Sequence, residues 1–298
     1  VRDLNKPYRK FMEYIHQPLL YGVSATLYAG LSIHAWIYAT RNRHTDTKYT
    51  VPNNSVITQI LLVLALLSHG LLLHETIFLR DGMVFGFAYA ISVMLWLGVS
   101  MYWLETLLLP LSGMGLLLLP SACGAVLLPL IASGSHIMTN PASPFFKVHF
   151  VIANMAYGML VLAAFHALLM LLSQQRLHRI RSARGLSWFG RWLDTLPPLM
   201  TMEKVLFRQI TVGFILLTLT ILSGVLFAEI LWGRALRVDH KAIFAFTSWT
   251  MFGALLWGRY RYGWRGRPTL RWVLAAFFAL VLAYIGSRFV TDILLQRS

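Results

Sequence analysis

Charge is what this chain has least of. Of its 298 residues 12% are Asp, Glu, Lys or Arg and 57% are hydrophobic, where a soluble globular domain carries roughly 25% charged residues. A chain of this length with so little polar surface cannot cover itself in water, which excludes a soluble-domain reading. Cysteine is nearly absent too. Cys123 stands alone, so there is no internal disulfide, no CxxC redox pair, no CxxCH haem-attachment site and no zinc-finger framework; Cys123 itself reads as a small buried core residue. Acids are outnumbered, 11 against 26 Lys and Arg, for a formal charge of +15. In a soluble protein that excess would point to nucleic acid. Here the bases lie between apolar runs, where cytoplasmic loops collect them, and nucleic acid is excluded as a partner. No fixed-period repeat and no low-complexity segment is present.

What the chain does have is long apolar runs, several exceeding the roughly 20 residues that cross a bilayer. Read in order they give eight spans near 18–40, 55–79, 84–105, 112–132, 148–172, 207–231, 241–257 and 269–291. The third and fourth nearly merge, and Pro110, Gly113 and Gly115 supply the break. Backbone groups in hydrocarbon must be satisfied within their own segment, and these runs are continuous rather than alternating, so the fold class is all-α: a polytopic membrane helix bundle. Residues 1–17 read as an N-terminal tail; the start at Val1 with a Met at position 12 allows an over-extended start. Residues 18–292 form the transmembrane domain and 293–298 a C-terminal tail. The first apolar run ends in Arg41-Asn42-Arg43, not in a small-residue cleavage site, and is expected to be an uncleaved helix.

With both termini outside, the inner loops hold three bases over 41–48, seven over 176–208 and five over 259–271, the majority of the 26. That bias sets the expected orientation. The Arg-rich segment 173–206, with Trp188 and Trp192, suits the inner headgroup layer, or a docking surface for a cytoplasmic or membrane partner protein. Pro197-Pro198 is expected to end it before the sixth span.

Ten histidines remain, and their depth is informative. His34 and His166 fall in the inner half, His44 and His178 in inner loops, and His16 ahead of the first span. His69, His74, His136, His149 and His240 lie near mid-membrane or toward the outer face. His149 opens the fifth span and His240 the seventh, so both stand at one outer level; His69 lies about 10 Å deeper at 1.5 Å per residue. A polar side chain at that depth faces the bundle interior and has a partner. Two imidazoles from facing helices could clamp one haem iron, with Asp239 orienting His240. Equally, a single membrane histidine is most often a packing residue or an interfacial anchor. His74 beside Glu75 could instead handle protons in a proton-coupled transporter.

Three stretches carry a family resemblance. PPLMTMEKVLFRQITVGFILLTLTILSG (197–224), DHKAIFAFTSWTMFGALLWGRYRYGWRG (239–266) and LAYIGSRFV (282–290) strongly resemble the cytochrome c assembly protein family, to which CcsA, CcmC and CcmF belong, and within it the inner-membrane branch of YpjD and HemX. KVHFVIANMAYGML (147–160) is similar to the family's helix start with an outward-facing histidine, and SHGLLLHE (68–75) to its membrane-embedded histidine helix. The resemblance covers about 19–292. It implies a multi-pass protein of the bacterial inner membrane that binds non-covalent, b-type haem, with His149 at the outer ligand position and His69 at the intramembrane one. His240 is assigned as the partner of His149 from level and spacing: the stretch where CcsA carries its second outer ligand, here YIGSRFVTDIL, has no histidine. The tryptophan-rich WWD platform of CcsA, CcmC and CcmF is missing as well, since no tryptophan lies between Glu105 and His149. The resemblance therefore implies a role in cytochrome c biogenesis or haem homeostasis, as a haem-binding protein without bond chemistry of its own. The alternatives are the transporter, and a membrane scaffold or regulator of haem synthesis that transfers no haem.

Overall fold

The computed structural model describes residues 6–41, 55–79, 82–108, 113–132, 136–138, 144–179, 196, 198–232 and 240–283. Among them eight helices follow one another as the apolar runs require. They are α1 (Lys6–Arg41), α2 (Val56–Ile77), α3 (Phe87–Leu108), α4 (Gly115–Ile131), α5 (Pro144–Arg179), α6 (Leu199–Trp232), α7 (His240–Tyr262) and α8 (Arg267–Val281). Four stretches, Val56–Ile77, Phe87–Leu107, Val148–Gln175 and Leu199–Leu226, are long and apolar enough to cross a membrane, and Gly115–Ile131 is a shorter apolar helix. The chain is a polytopic helical membrane protein.

Two features depart from the sequence reading. Several helices outrun their apolar spans. α1 already begins at Lys6, so the expected tail is largely helix, and α5 and α6 extend into the polar segment from both sides. Residues 180–195 and 197, including Trp188 and Trp192, lie outside the described residues, and the partner surface expected there lies with them. The second departure is a small antiparallel sheet, β1 (Phe78–Leu79), β2 (Gly82–Phe85) and β3 (His136–Met138), paired in that order. Its register sets Phe78 against Met83 and Val84 against Ile137. Val84 and Phe85, read as the start of the third span, belong to this sheet.

Helix boundaries have local causes. Gly113 takes φ 90° just ahead of α4, a backbone region open to glycine without Cβ strain. The Pro198 carbonyl accepts from the backbone N–H of Thr201 and Met202 at 2.8 and 3.1 Å, opening α6 directly after Pro197-Pro198 and ahead of the apolar span expected from 207.

α5 is the central helix. It packs on α3, α6 and α8, with a smaller contact to α4, while α1 covers α2 and α4 and α7 pairs with α6 and α8. Over an 18-residue apolar stretch of α5 78% of the residues are buried, against 22% over the corresponding stretch of α6. Val212, Ile215, Leu219, Leu222 and Leu226 are exposed along one stripe of α6, the apolar face a bilayer covers. Lipid is as apolar as the helices, so close backbone approach takes over as a source of attraction. A Cβ on Gly158 would stand 2.8 Å from Leu97 Cβ and 3.2 Å from Gly98 N. Glycine at 158 is what lets α5 meet α3 backbone to backbone.

The bundle has two unlike ends. The sheet closes one. At the other, Glu203 of α6 pairs with Arg259 and, at 3.2 Å, with Arg265, and Arg259 lies 4.5 Å over the Phe207 ring. Arg267 Nη2 donates to the Gln174 carbonyl at 3.0 Å. This basic end therefore joins α5, α6, α7 and α8.

Candidate functional site

His149, His240 and His69 all lie in the half of their helices toward the sheet end. His149 is half-buried on the first turns of α5 and meets α6 at Ser223 and Gly224. Its Nδ1 lies 2.8 Å from Ser223 Oγ. The Ser223 hydroxyl is itself directed to the Thr220 carbonyl at 3.1 Å. When the serine proton stays on that carbonyl, Ser223 accepts, and Nδ1 carries the imidazole proton and Nε2 the lone pair. A neutral ring with one nitrogen held by an outer partner is the form in which histidine ligates a metal. Gly224 makes room for it: a Cβ there would stand 3.3 Å from His149 Cε1. His149 thus fits an axial haem ligand.

Below it, an aromatic step joins α6 to α7. Phe214 and Trp249 stack with centroids 5.7 Å apart, and Trp249 Nε1 donates to Thr218 Oγ1 at 2.9 Å. His240 is the first residue of α7. Its side chain lies outside the described residues, as does Asp239, so the structure does not bring the His149 and His240 rings into view together. The described residues hold no cluster of three or more His, Cys, Asp or Glu suited to a metal.

His69 is differently placed. It is fully buried between α1, α2 and α3, with Nδ1 3.3 Å from Tyr28 Oη and Nε2 2.9 Å from Ser92 Oγ. The Tyr28 ring meets it edge-on at 5.7 Å, and Ser24 donates to Ser68 at 3.0 Å beside it. Both nitrogens are engaged, so an iron at Nε2 would have to displace Ser92. In this packing His69 fits a hydrogen-bonded core residue, and the ligand assignment implied by resemblance finds no opening. His74 is exposed and Glu75 half-buried, so this pair lacks the enclosed position that a proton path needs. His136 lies on β3, its side chain outside the described residues.

The sequence reading missed the partners rather than the histidines. Ser223, Tyr28 and Ser92 lie 74, 41 and 23 residues from the rings they hold, and no local pattern links them. It also missed a buried polar group at the basic end. Glu105 of α3 accepts from Gln209 Nε2 of α6 at 2.6 Å, beside a buried His166 on α5. A cavity of about 50 Å³ near that end, lined by Met170, Gln174, Glu203, Phe207, Arg265 and Leu270, is well below the roughly 300 Å³ where organic ligand pockets begin.

Comparison with known proteins places this geometry. Residues 19–295 match the family described as Cytochrome C assembly protein. The inner membrane protein YpjD of Escherichia coli K12 is 31% identical over 184 residues, 60% of this chain and 66% of YpjD. The cytochrome c biogenesis protein CcsA of Prochlorococcus marinus MIT 9515 is 35% identical over 89 residues, 30% of this chain and 28% of CcsA. CcsA from the SARG strain of the same species is 27% identical over 176 residues, 54% of this chain and 56% of that protein. The matches thus span at most about two thirds of these relatives' length.

Proposed function

The chain belongs to the cytochrome c assembly protein family, and on that premise we propose that it is a haem-binding protein of the bacterial inner membrane serving cytochrome c biogenesis or haem homeostasis. The YpjD relative carries the inner-membrane description and the CcsA relatives the biogenesis one. His149 is the ligand this reading rests on, because Ser223, 2.8 Å from its Nδ1, can hold the ring in the tautomer with its lone pair on Nε2. His240, at the same end of the neighbouring helix pair, is the second ligand. His69 braces α1 against α2 and α3 and reaches iron only if Ser92 is displaced. The single cysteine makes the haem non-covalent. When bound, haem supplies a reversible ferric/ferrous couple; the protein's residues bind it, orient it and keep it against the bundle, and carry out no bond chemistry.

Both termini and the sheet end face outward in this reading, with the Arg-rich end in the cytoplasm. Protein purified in detergent from haem-replete cells is expected to show a Soret band that shifts on reduction. The band is lost when His149→Ala and His240→Ala are combined. A colourless wild-type preparation, or a double variant with an unchanged spectrum, refutes the proposal.

A further inference from the structure

The polar group at the basic end lies outside the haem site and asks for its own explanation. Glu105 is 7% exposed near the end of α3, within a stretch apolar enough to cross a membrane. A carboxylate at that depth is costly and marks function more often than packing. Its Oε2 accepts from Gln209 Nε2 at 2.6 Å, and its Oε1 accepts a long bond from Arg208 Nη2 at 3.4 Å. The Arg208 side chain is 46% exposed, so the guanidinium reaches out of the bundle while the carboxylate stays within. On the far side of Gln209 stands His166, 2% exposed. It is close enough to feel the Gln209 amide, yet neither His166 Nδ1 nor Gln209 Oε1 completes a well-formed hydrogen bond, although both atoms are buried. Buried polar groups are nearly always paired, and each exception needs a reason.

We infer that Glu105, Gln209 and His166 form an intramembrane proton-binding site that opens to the basic end past Arg208. In the resting cluster the carboxylate and guanidinium charges cancel and the imidazole is neutral. One added proton has two seats. On His166 it makes an imidazolium whose Nδ1–H is offered to Gln209 Oε1, the buried acceptor beside it. On Glu105 it neutralises the carboxylate and weakens its hold on Arg208. Gln209 couples the seats, because one amide faces both: Nε2 donates to the carboxylate while Oε1 is left for the imidazolium. The two groups therefore titrate as a pair sharing one proton.

Among the described side chains the surroundings leave these groups to one another; Arg176, His178 and Arg179, farther along α5, lie outside them. α4 carries no acid, lysine, arginine or histidine over 115–131, and the titratable residues of α2 (His69, His74, Glu75) lie toward the sheet end. On α6 the further charges are Glu203, which is committed to Arg259 and Arg265, exposed Lys204, and Glu229, which lies toward the sheet end of the helix. On α8 Arg267 is bonded to the Gln174 carbonyl and Arg271 is exposed. Thr106 donates to the Trp103 carbonyl and accepts from Gln59, so it belongs to the wall of the site and not to its charge.

The test is infrared difference spectroscopy of the purified protein in nanodiscs, taken between acidic and alkaline buffers. A protonated-carboxyl band is expected that Glu105→Gln removes, and its midpoint should move by about 1 unit in His166→Asn, the size that marks coupled sites. A band that survives Glu105→Gln, or one that titrates identically in His166→Asn, overturns the inference. Should Glu105→Gln fail to fold, NMR of isotope-labelled histidine follows the His166 ring in the wild type. A proton taken up on that ring as pH falls supports the site, and a constant protonation state with no titrating carboxyl band refutes it. None of these readouts needs haem, so a colourless protein leaves this inference standing and a haem-loaded one does not establish it.

Discussion

Ser223→Ala tests the haem reading at the atom on which it rests. The serine oxygen lies 2.8 Å from His149 Nδ1, and iron bound at Nε2 would leave that contact in place, so its removal does not subtract a whole hydrogen bond from binding. What changes is preparation: without Ser223 the half-buried ring can rotate, and haem must immobilise it. Ordering one such side chain costs about 0.5–1.5 kcal/mol, which at 1.4 kcal/mol per decade is roughly 2- to 12-fold in affinity. The more acidic Nδ1–H of a ligated ring adds to this, since outer-partner losses in metal sites run about 10- to 100-fold. The expectation is therefore a roughly tenfold weaker haem, well short of what His149→Ala removes. Haem titration of apo-protein in nanodiscs, followed by the Soret band, reads it directly. Affinity unchanged in Ser223→Ala while His149→Ala abolishes binding would show that the serine does not set the ring. A loss equal to that of His149→Ala would show that the serine is a structural keystone.

Two further predictions concern packing. Gly158→Ala puts a methyl group 2.8 Å from Leu97 Cβ against the α3 backbone; overpacking of that kind costs about 1–3 kcal/mol, and thermal unfolding in detergent should fall accordingly, whereas an unchanged midpoint would show that α3 and α5 separate freely. His69→Leu removes the ring shared by Tyr28 and Ser92, leaving two buried hydroxyls short of a partner at about 1–3 kcal/mol each; the variant should be less stable yet keep its Soret spectrum, and loss of the spectrum in still-folded protein would make His69 a ligand after all.

The eight helices were legible because hydrocarbon admits few alternatives to a continuous apolar helix. Their ends were less so. Past the hydrocarbon, polarity no longer distinguishes helix from loop, which is how α5 and α6 came to run on into the Arg-rich segment. The sheet was hidden by composition: Met83, Val84 and Phe85 are as apolar as the helix they precede, and their partners Met138, Ile137 and His136 lie more than fifty residues away. The Asp81-Gly82 dipeptide was the available turn signal. At the site, helix rise alone gave an expected depth for His149, His240 and His69. Which of them is committed to its neighbours was not, since Ser92 and Tyr28 reach His69 from other helices. His166 read only as an inner-half histidine, and its significance depended on Glu105 and Gln209, one on each of two distant spans.

The glycine contact between α3 and α5 bears on both ends of the molecule at once. Gly158 lies midway between His149 and His166 on α5, and one turn of α6 closes on the same level, where a Cβ at Gly213 would meet Leu160 at 2.6 Å. A rod gripped at its middle pivots more readily than it slides. Each arm is about 13 Å long at 1.5 Å per residue, so a tilt of about 5° carries the two imidazoles about 1 Å in opposite directions, enough to spoil a hydrogen bond of ordinary length. Any tilt of α5 about Gly158 would therefore move the Ser223 contact and the Gln209 amide in opposite senses.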